Sequence, residues 1–264
     1  MAGMARKAQE EEAARKHFDF FVAAIKKSTE MARELHYDKT HKWCMAMVAL
    51  YGTILEISHA IQTSIESDSA IGTPILLRSQ LEACVDFTNL AADRTYGYHL
   101  DAANLNEWIK ILKEAQKGKN LYLKEIGEMA DLDQHLADLD GQLEKLKKAG
   151  YLPLKNFQKF ERSGLAHEYK SLYNFLCCHS HNNLRALIER HVAILNDGAD
   201  IELQFFPLVG LSDMLQYFDS AAGILVEATV GIHQAFESPK VAEAMALSDE
   251  LAEIRKPWTT NPLP

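Results

Sequence analysis

Hydrophobic residues recur every three or four positions along most of this chain, as they do on one face of an α-helix. One stretch differs: VAIL and IELQFF flank NDGAD between Val192 and Phe206, and they predict a small β-hairpin with a glycine-containing turn. The remaining pattern predicts helices over about 5–36, 43–67, 73–93, 100–116, 121–148, 168–191, 208–236 and 238–255. We therefore expect an all-α multi-helix bundle with one small β-hairpin.

The length of 264 residues fits a single large domain. We expect one helical domain over 1–264, with a core of about 41–236 and the helices 5–36 and 238–255 as extensions. Its most regular segment carries a thin apolar heptad seam, which predicts a long helical hairpin or, alternatively, a dimer contact. The seam residues are Ile126, Met129, Leu132, Leu136, Leu139, Leu143 and Leu146.

The composition limits the cellular environments and the classes of partner that we expect for this protein. Hydrophobic residues make up 47% and charged residues 25%, the proportions of a soluble globular protein. The net charge of −9 repels phosphate backbones, so we expect no broad, non-specific nucleic-acid binding, although a local basic pocket remains compatible with it. The four cysteines form no C-x-x-C pair, the N-terminus has no apolar signal core, and no apolar run approaches the roughly 20 residues of a membrane span. These features predict a cytoplasmic protein without membrane association.

A narrow polar stripe on the third predicted helix is the first candidate for chemistry. Its members fall within an arc of roughly 80° at 100° per residue, and nearly everything outside the arc is apolar or small. They are Arg78, Glu82, Asp86, Asn89 and Asp93. Two interpretations stay open. The stripe is either a solvated edge with an Arg78–Glu82 pair, or a partly buried arginine–carboxylate pair that holds a catalytic group or an anion.

A second polar stripe lies on the predicted helix 168–191, where Tyr173, Cys177, His181 and Arg185 step by four. We expect the two stripes to meet inside the bundle and form a polar pocket. A tyrosine hydroxyl near an imidazole suits proton transfer or phosphate contact, and His181 is the preferred site residue. His179 lies about 160° away around a helix, so the H-x-H sequence is not a two-ligand metal site. The alternative for His181 is a hydrogen-bonded core or boundary histidine.

Metal and cofactor signals are weak. Glu56 and His59 form a single E-x-x-H unit, whereas a di-iron carboxylate bundle needs that unit twice. Phosphate-loop, dinucleotide-binding and nucleophile-elbow motifs are absent from the sequence. We expect no cofactor and no metal, and keep Glu56 and His59 as an alternative metal pair.

RSQLEACVDFTNL, followed much later by YNFLCCHSH, resembles a bacterial all-helical family of unknown function. Members of that family pair an R-x-x-x-E helix with a distal helix that holds tyrosine, a small residue and histidine. The matching positions are Arg78, Glu82, Tyr173, Cys177 and His181, with cysteine where the family more often has serine. The resemblance covers roughly His41 to Phe206.

The chain is also similar, more loosely, to HEPN domains, which are helical bundles. Their nuclease members carry R-x(4–6)-H near a helix end and cut RNA across a dimer. Arg185 and His191 have that spacing, but Ala186 stands where active members usually carry a polar residue. The likeness implies a homodimer and an RNA or nucleotide substrate.

Three functional hypotheses follow. The first is a metal-independent, HEPN-like ribonuclease acting as a toxin or phage-defence effector. In it Arg185 steadies the phosphate, His191 or His181 moves the proton, and Arg78, Glu82 and Tyr173 orient the site. The second is a non-catalytic interaction or oligomerisation module with Leu132–Leu146 as its partner surface. The third is a metal- or small-ligand-binding bundle at Glu56, His59, Glu82 and His181.

Overall fold

The computed structural model of the chain describes residues 2–181, 183–195, 200–205 and 207–260. The architecture is an all-α bundle with one two-stranded antiparallel sheet, as the hydrophobic spacing predicts. The α-helices are α1 (Ala2–Ala32), α2 (Lys42–Glu66), α3 (Thr73–Ala92), α4 (Gly97–Gln116), α5 (Lys124–Gly127), α6 (Leu132–Lys148), α7 (Asn156–Arg162), α8 (Ala166–Glu168), α9 (Asn174–Ser180), α10 (Leu184–His191), α11 (Leu211–Ala235) and α12 (Val241–Thr260). Short 3₁₀ turns cover Ala70–Gly72, Arg94–Tyr96 and Leu121–Leu123, a π-helical turn covers Tyr169–Tyr173, and the strands are β1 (Val192–Leu195) and β2 (Asp200–Leu203).

The main hydrophobic core lies where α11 packs against α1, α2 and α3, with α12 covering one side. Phe21, Tyr51, Leu77 and Phe218 are fully buried there, one from each of the four helices. Because α1 contributes large aromatic side chains and α12 contributes Leu251, the core reaches beyond the predicted 41–236 into both end helices.

Helix α2 is long and apolar enough to cross a membrane by length and composition, with a mean hydropathy of 1.5 over its most apolar window. The sequence analysis found no such stretch, because Glu56 and His59 interrupt the run of apolar residues. In the structure α2 packs against α3 and α11 and buries Met47, Tyr51 and Ile54 in the main core.

The apolar heptad seam packs against another helix of the same chain. Helix α6 packs against α4, where Leu132, Leu136 and Leu143 join a second, smaller hydrophobic cluster. This confirms the helical-hairpin interpretation and corrects the alternative that made Leu132–Leu146 a partner surface, because α4 already covers the seam. The predicted helix 121–148 is also interrupted, since α5 ends at Gly127 and α6 starts at Leu132.

The predicted helix 168–191 is broken into three pieces. A π-helical turn precedes α9, α9 ends at Ser180, and a new helix, α10, begins at Leu184. The Asn183 side chain accepts a 3.0 Å hydrogen bond from the Arg185 backbone N–H, which caps α10 and fixes the break. Residues on opposite sides of the break no longer share one helical face.

The connector between α6 and α9 contains a helix that the sequence analysis missed. Helix α7 lies against α3, and α9 packs against α3 as well. Gly150 and Gly164 flank this connector at φ +91° and +80°, the left-handed conformation in which glycine ends helices. Helix α3 is therefore covered by α2 and α11 on its apolar side and is contacted by α7 and α9 elsewhere.

Candidate functional site

The two polar stripes meet at one point, where the Tyr173 hydroxyl reaches the Arg78–Glu82 pair. Arg78 Nη2 donates to Glu82 Oε1 at 3.0 Å and to the Tyr173 hydroxyl at 3.2 Å. The Tyr173 hydroxyl donates to the same Glu82 oxygen at 2.7 Å. The structure thus brings together three of the residues that the sequence analysis singled out, from segments 91 and 95 positions apart.

Asn156 of α7 completes this cluster. Its side-chain amide donates to the Tyr173 hydroxyl at 2.7 Å and lies 3.5 Å from Glu82 Oε1. The Tyr173 hydroxyl therefore donates one hydrogen bond and accepts two, which is its full capacity. Burial of Tyr173 and its hydrogen bond to Glu82 raise its pKa to about 12. We call Arg78, Glu82, Asn156 and Tyr173 the polar clamp.

The clamp is partly shielded from water. The side chains of Arg78 and Glu82 are 22% and 37% exposed, and Tyr173 is buried. The Arg78 guanidinium lies 5.3 Å from the centre of the Tyr173 ring, and its Nε is buried without an acceptor among the described residues. Of the two interpretations of this pair, the partly buried arginine–carboxylate pair is the one observed.

Side chains and backbone of α7 form ion pairs and a hydrogen bond with the remaining residues of the α3 stripe. Lys159 Nζ lies 2.9 Å from Asp86 Oδ2, with both side chains less than one-fifth exposed, and the Lys159 carbonyl accepts from Asn89 at 2.9 Å. One turn further, Arg162 pairs with Asp93 at 2.6 Å. Asn156, Lys159 and Arg162 are spaced by three and meet successive members of the stripe. Most of the polar edge of α3 is consequently paired with α7 and has a structural role.

Tyr96 adds a buried partner to this polar edge. Its hydroxyl donates to Asp86 Oδ1 at 2.5 Å, and burial together with the charge of Asp86 raises the pKa of Tyr96 above its usual range. Asp86 therefore has both a cationic and a neutral donor, which satisfies its carboxylate away from bulk water.

His181 lies outside the clamp. It follows the last residue of α9, it is exposed, and its side chain has no hydrogen-bond or ion-pair partner among the described residues. Cys177, one turn earlier, is a free, half-buried cysteine. Among the described residues, Tyr173 is therefore the member of the second stripe that hydrogen-bonds to the first stripe, while His181 is exposed and Arg185 pairs with Glu189 on a separate helix.

Arg185 and His191 mark the two ends of α10. The Arg185 side chain is 86% exposed and pairs with Glu189 at 2.6 Å. His191 Nδ1 lies 3.2 Å from the Gln204 carbonyl oxygen. Because a carbonyl oxygen only accepts hydrogen bonds, Nδ1 carries the proton and the lone pair of the neutral ring is on Nε2.

The segment 179–191 is locally basic in an acidic chain. It contains three histidines and two arginines against one glutamate. His179 is the least available of these groups, because it packs edge-on against Phe175 and burial followed by the nearby Arg190 charge lowers its pKa. The exposed members are His181 and Arg185, with His191 half-exposed at the other end of α10.

The alternative metal pair is not assembled into a larger site. Glu56 and His59 are both exposed on α2, and the contacts of Glu82 are with the other clamp residues. Within the described ranges, no group of three histidine, cysteine, aspartate or glutamate side chains is placed to hold a metal ion. The four-residue ligand set of the third hypothesis is thus not brought together.

A separate groove lies away from the polar clamp. It has a volume of about 770 Å³ and lies between α3, α11 and α12, with Phe87, Glu227 and Arg255 in its lining. None of the residues predicted for the site lines it.

Comparison with known sequences places the chain in a family. Residues 45–200 match a family described as "Family of unknown function (DUF5677)". None of the curated proteins and none of the solved structures compared with the chain matches it. The match covers more than half of the chain and includes the polar clamp, α9 and α10. The chain belongs to the DUF5677 family.

Proposed function

We propose that this DUF5677 member is a metal-independent, HEPN-like ribonuclease whose reactive groups lie on the segment 179–191. The observation that supports the proposal is that His181 and Arg185 are exposed and His191 is half-exposed within one short segment of a chain of net charge −9. A confined basic segment on an acidic protein favours a specific anionic ligand over general nucleic-acid binding.

Arg185 supplies the phosphate contact. Its ion pair with Glu189 is solvent-exposed, and such pairs contribute little to stability, so a phosphate oxygen can replace the carboxylate at small cost. A guanidinium binds two phosphate oxygens at once and stabilises the negative charge that develops on them.

His191 and His181 supply the proton transfers. His191 Nε2 accepts the proton of a ribose 2′-hydroxyl while the 2′-oxygen attacks the adjacent phosphorus and the bond from phosphorus to the 5′-oxygen breaks. The leaving 5′-oxygen takes a proton from a protonated imidazole, for which His181 is the available group. The products are a 2′,3′-cyclic phosphate and a free 5′-hydroxyl, so no metal and no water enter the step.

The polar clamp has a positioning role in this proposal. Tyr173 fixes the start of α9 against α3, and α9 leads directly to His181 and α10. The departure from the HEPN pattern at Ala186 is compatible with this arrangement, because Ala186 is buried and a polar side chain there would face the protein rather than the exposed surface. We place this activity in the cytoplasm, where cleavage of cellular RNA suits a toxin or phage-defence effector.

A second candidate is a non-catalytic interaction module. It is favoured by the saturated hydrogen bonding of Tyr173, which leaves that hydroxyl no free capacity for proton transfer, and by the exposed apolar β-hairpin described below. In that case the basic segment would bind an anionic partner without cleaving it.

RNA cleavage in the presence of a chelator separates the two candidates. Single-stranded RNA labelled at its 5′-end is incubated with the purified chain and EDTA, and fragment ends are identified by mass spectrometry. We expect cleavage with 2′,3′-cyclic phosphate ends, reduced on the order of 100-fold or more in His181→Ala and in His191→Ala. His135→Ala is the matched control, because His135 is an exposed histidine on α6 outside the basic segment. Intact RNA, or activity that survives both substitutions, contradicts the proposal.

A further inference from the structure

One face of the β-hairpin consists only of apolar side chains. The strands pair antiparallel with Val192 opposite Leu203 and Ile194 opposite Ile201. Cross-strand partners and residues two positions apart point to the same side of a sheet, so these four side chains share one face. Ile194, Ile201 and Leu203 are each about two-thirds exposed. We call this surface the hairpin face.

Exposed apolar residues next to the hairpin enlarge this surface. They follow β2 in the chain or lie on α10, which contacts β1. They are Phe205 at 70% exposure, Leu208 at 83%, Leu184 at 71% and Ile188 at 43%. With the three exposed members of the hairpin face they make seven large apolar side chains that are each at least 43% exposed, all between Leu184 and Leu208 in the chain. Large exposed apolar surfaces mark protein–protein interaction sites.

The isolated hairpin has little to stabilise it. A two-stranded sheet is marginal in water unless its apolar face packs against something, and three of the four side chains of the hairpin face are about two-thirds exposed. The outer edges of β1 and β2 also lack strand partners within the described part of the chain. Open edges beside an apolar face favour association through this element.

We infer that a second copy of this chain packs on the hairpin face and forms a homodimer. The face carries no charged or polar side chain that would select a partner of different chemistry, and stable homodimer interfaces are the most apolar class. Two acidic chains repel each other over most of their surfaces, so an uncharged patch is where they can meet. A two-fold axis through the hairpin matches the apolar surface with itself.

This inference rests on the hairpin and its surroundings and not on RNA cleavage. A dimer would place two α10 helices, each with its own Arg185 and His191, beside one interface. If the chain dimerises through the hairpin face but does not cleave RNA, the proposed ribonuclease activity is wrong and the inferred dimer is still correct.

Light scattering coupled to size-exclusion chromatography tests the dimer. The wild-type chain is expected at twice the 29.7 kDa of one chain, and Ile194→Asp with Ile201→Asp at the mass of one chain, with dimer affinity reduced on the order of 100-fold. Leu121→Asp is the matched control and stays dimeric, because Leu121 is 86% exposed but lies beside α5, away from the hairpin. Circular dichroism of the double variant should remain helical, since both positions are exposed.

Hydrogen exchange supplies a readout that needs no substitution. Amides of β1 and β2 in the wild-type chain should gain protection as protein concentration rises through the dimer transition. A wild-type chain that stays at the mass of one chain at every concentration overturns the inference, and so does a double variant that still dimerises.

Discussion

The hydroxyl of Tyr173 donates a 2.7 Å hydrogen bond to Glu82 Oε1, and this contact ties the π-helical turn before α9 to the polar edge of α3. π-Helical turns are rare and are often found near functional sites. Here the turn ends at the residue that closes the polar clamp, 91 positions from its carboxylate partner. The clamp therefore fixes where α9 begins and, through it, where the basic segment starts.

Removing the Tyr173 hydroxyl should destabilise the fold. Tyr173→Phe deletes one donor and one acceptor from a buried group of hydrogen bonds, and we expect a loss of about 1–2 kcal/mol in the free energy of unfolding. Urea denaturation followed by circular dichroism measures it. Tyr122→Phe is the control, because Tyr122 is 98% exposed, and it should change the free energy of unfolding by less than about 0.5 kcal/mol. Equal effects of the two substitutions would contradict the role assigned to the clamp.

The same hydroxyl should make stability depend on alkaline pH. The pKa of Tyr173 is raised from 10.0 to about 12 in the folded chain, so the folded state holds this proton more tightly than the unfolded state. Its contribution is complete below pH 10 and is lost as pH rises toward 12. The stability advantage of the wild-type chain over Tyr173→Phe should therefore shrink across that window. An advantage that stays constant to pH 12 would mean that the folded and unfolded pKa values of Tyr173 coincide.

The Asp86–Lys159 pair should matter more than ordinary surface ion pairs. Lys159→Met leaves a carboxylate that is only 16% exposed without its cation, and we expect a loss of about 2–4 kcal/mol. Removing the charge of Asp86 as well, as in Asp86→Asn with Lys159→Met, should recover most of that loss, because no unpaired charge remains and the amide oxygen can still accept from the Tyr96 hydroxyl. Lys147→Met, which breaks an exposed pair with Glu144, should cost less than about 0.5 kcal/mol. Denaturant titrations of the four chains check this, and a mild effect of Lys159→Met would show that water reaches Asp86 freely.

The α4–α6 hairpin should open separately from the main core. Its buried residues form their own hydrophobic cluster, so Leu143→Ala should lower the local opening free energy of α4 and α6 by about 2–4 kcal/mol. Native-state hydrogen exchange should show faster exchange in these helices while α2 and α11 keep their protection. Uniformly faster exchange over all helices would instead indicate one cooperative unit. Leu121→Ala, at an exposed position, should leave every rate unchanged.

Local periodicity was sufficient to predict most helices and the meeting of Arg78, Glu82 and Tyr173. A stripe that narrow on an otherwise apolar helix cannot be solvated along its whole width, so polar partners had to come from elsewhere in the chain. The distal stripe included Tyr173 through its four-residue spacing, although the sequence analysis preferred His181 on the same stripe as the site residue. Those inferences depend on spacing alone, which the sequence contains directly.

The partners supplied by α7 could not be found in the same way. Asn156, Lys159 and Arg162 stand in a short connector whose helix is too brief to show periodicity, and their register against α3 is set by tertiary packing. Their spacing by three between Pro153 and Gly164 was the one available signal. That spacing predicts a contact with α3 only when the acidic residues of the α3 stripe are known to need cationic partners.

The break after His181 was missed for a different reason. Apolar residues at helical spacing stand on both sides of the polar run 179–183, and the sequence analysis joined them into one helix. The asparagine at 183 is a strong helix N-cap residue, and its side chain does cap α10. This cap starts a separate helix, so Arg185 does not lie on one continuous helix with Tyr173.

Cleavage of an oligonucleotide that carries one ribonucleotide within a DNA strand tests the proposed function most directly. With EDTA present, the wild-type chain should cut only at the bond that follows the ribonucleotide and leave a 2′,3′-cyclic phosphate, while an all-DNA strand stays intact. Arg185→Ala should reduce the rate without moving the cut. Cleavage of the all-DNA strand, or none of either strand, would contradict a mechanism in which the 2′-hydroxyl is the nucleophile and His191 its base.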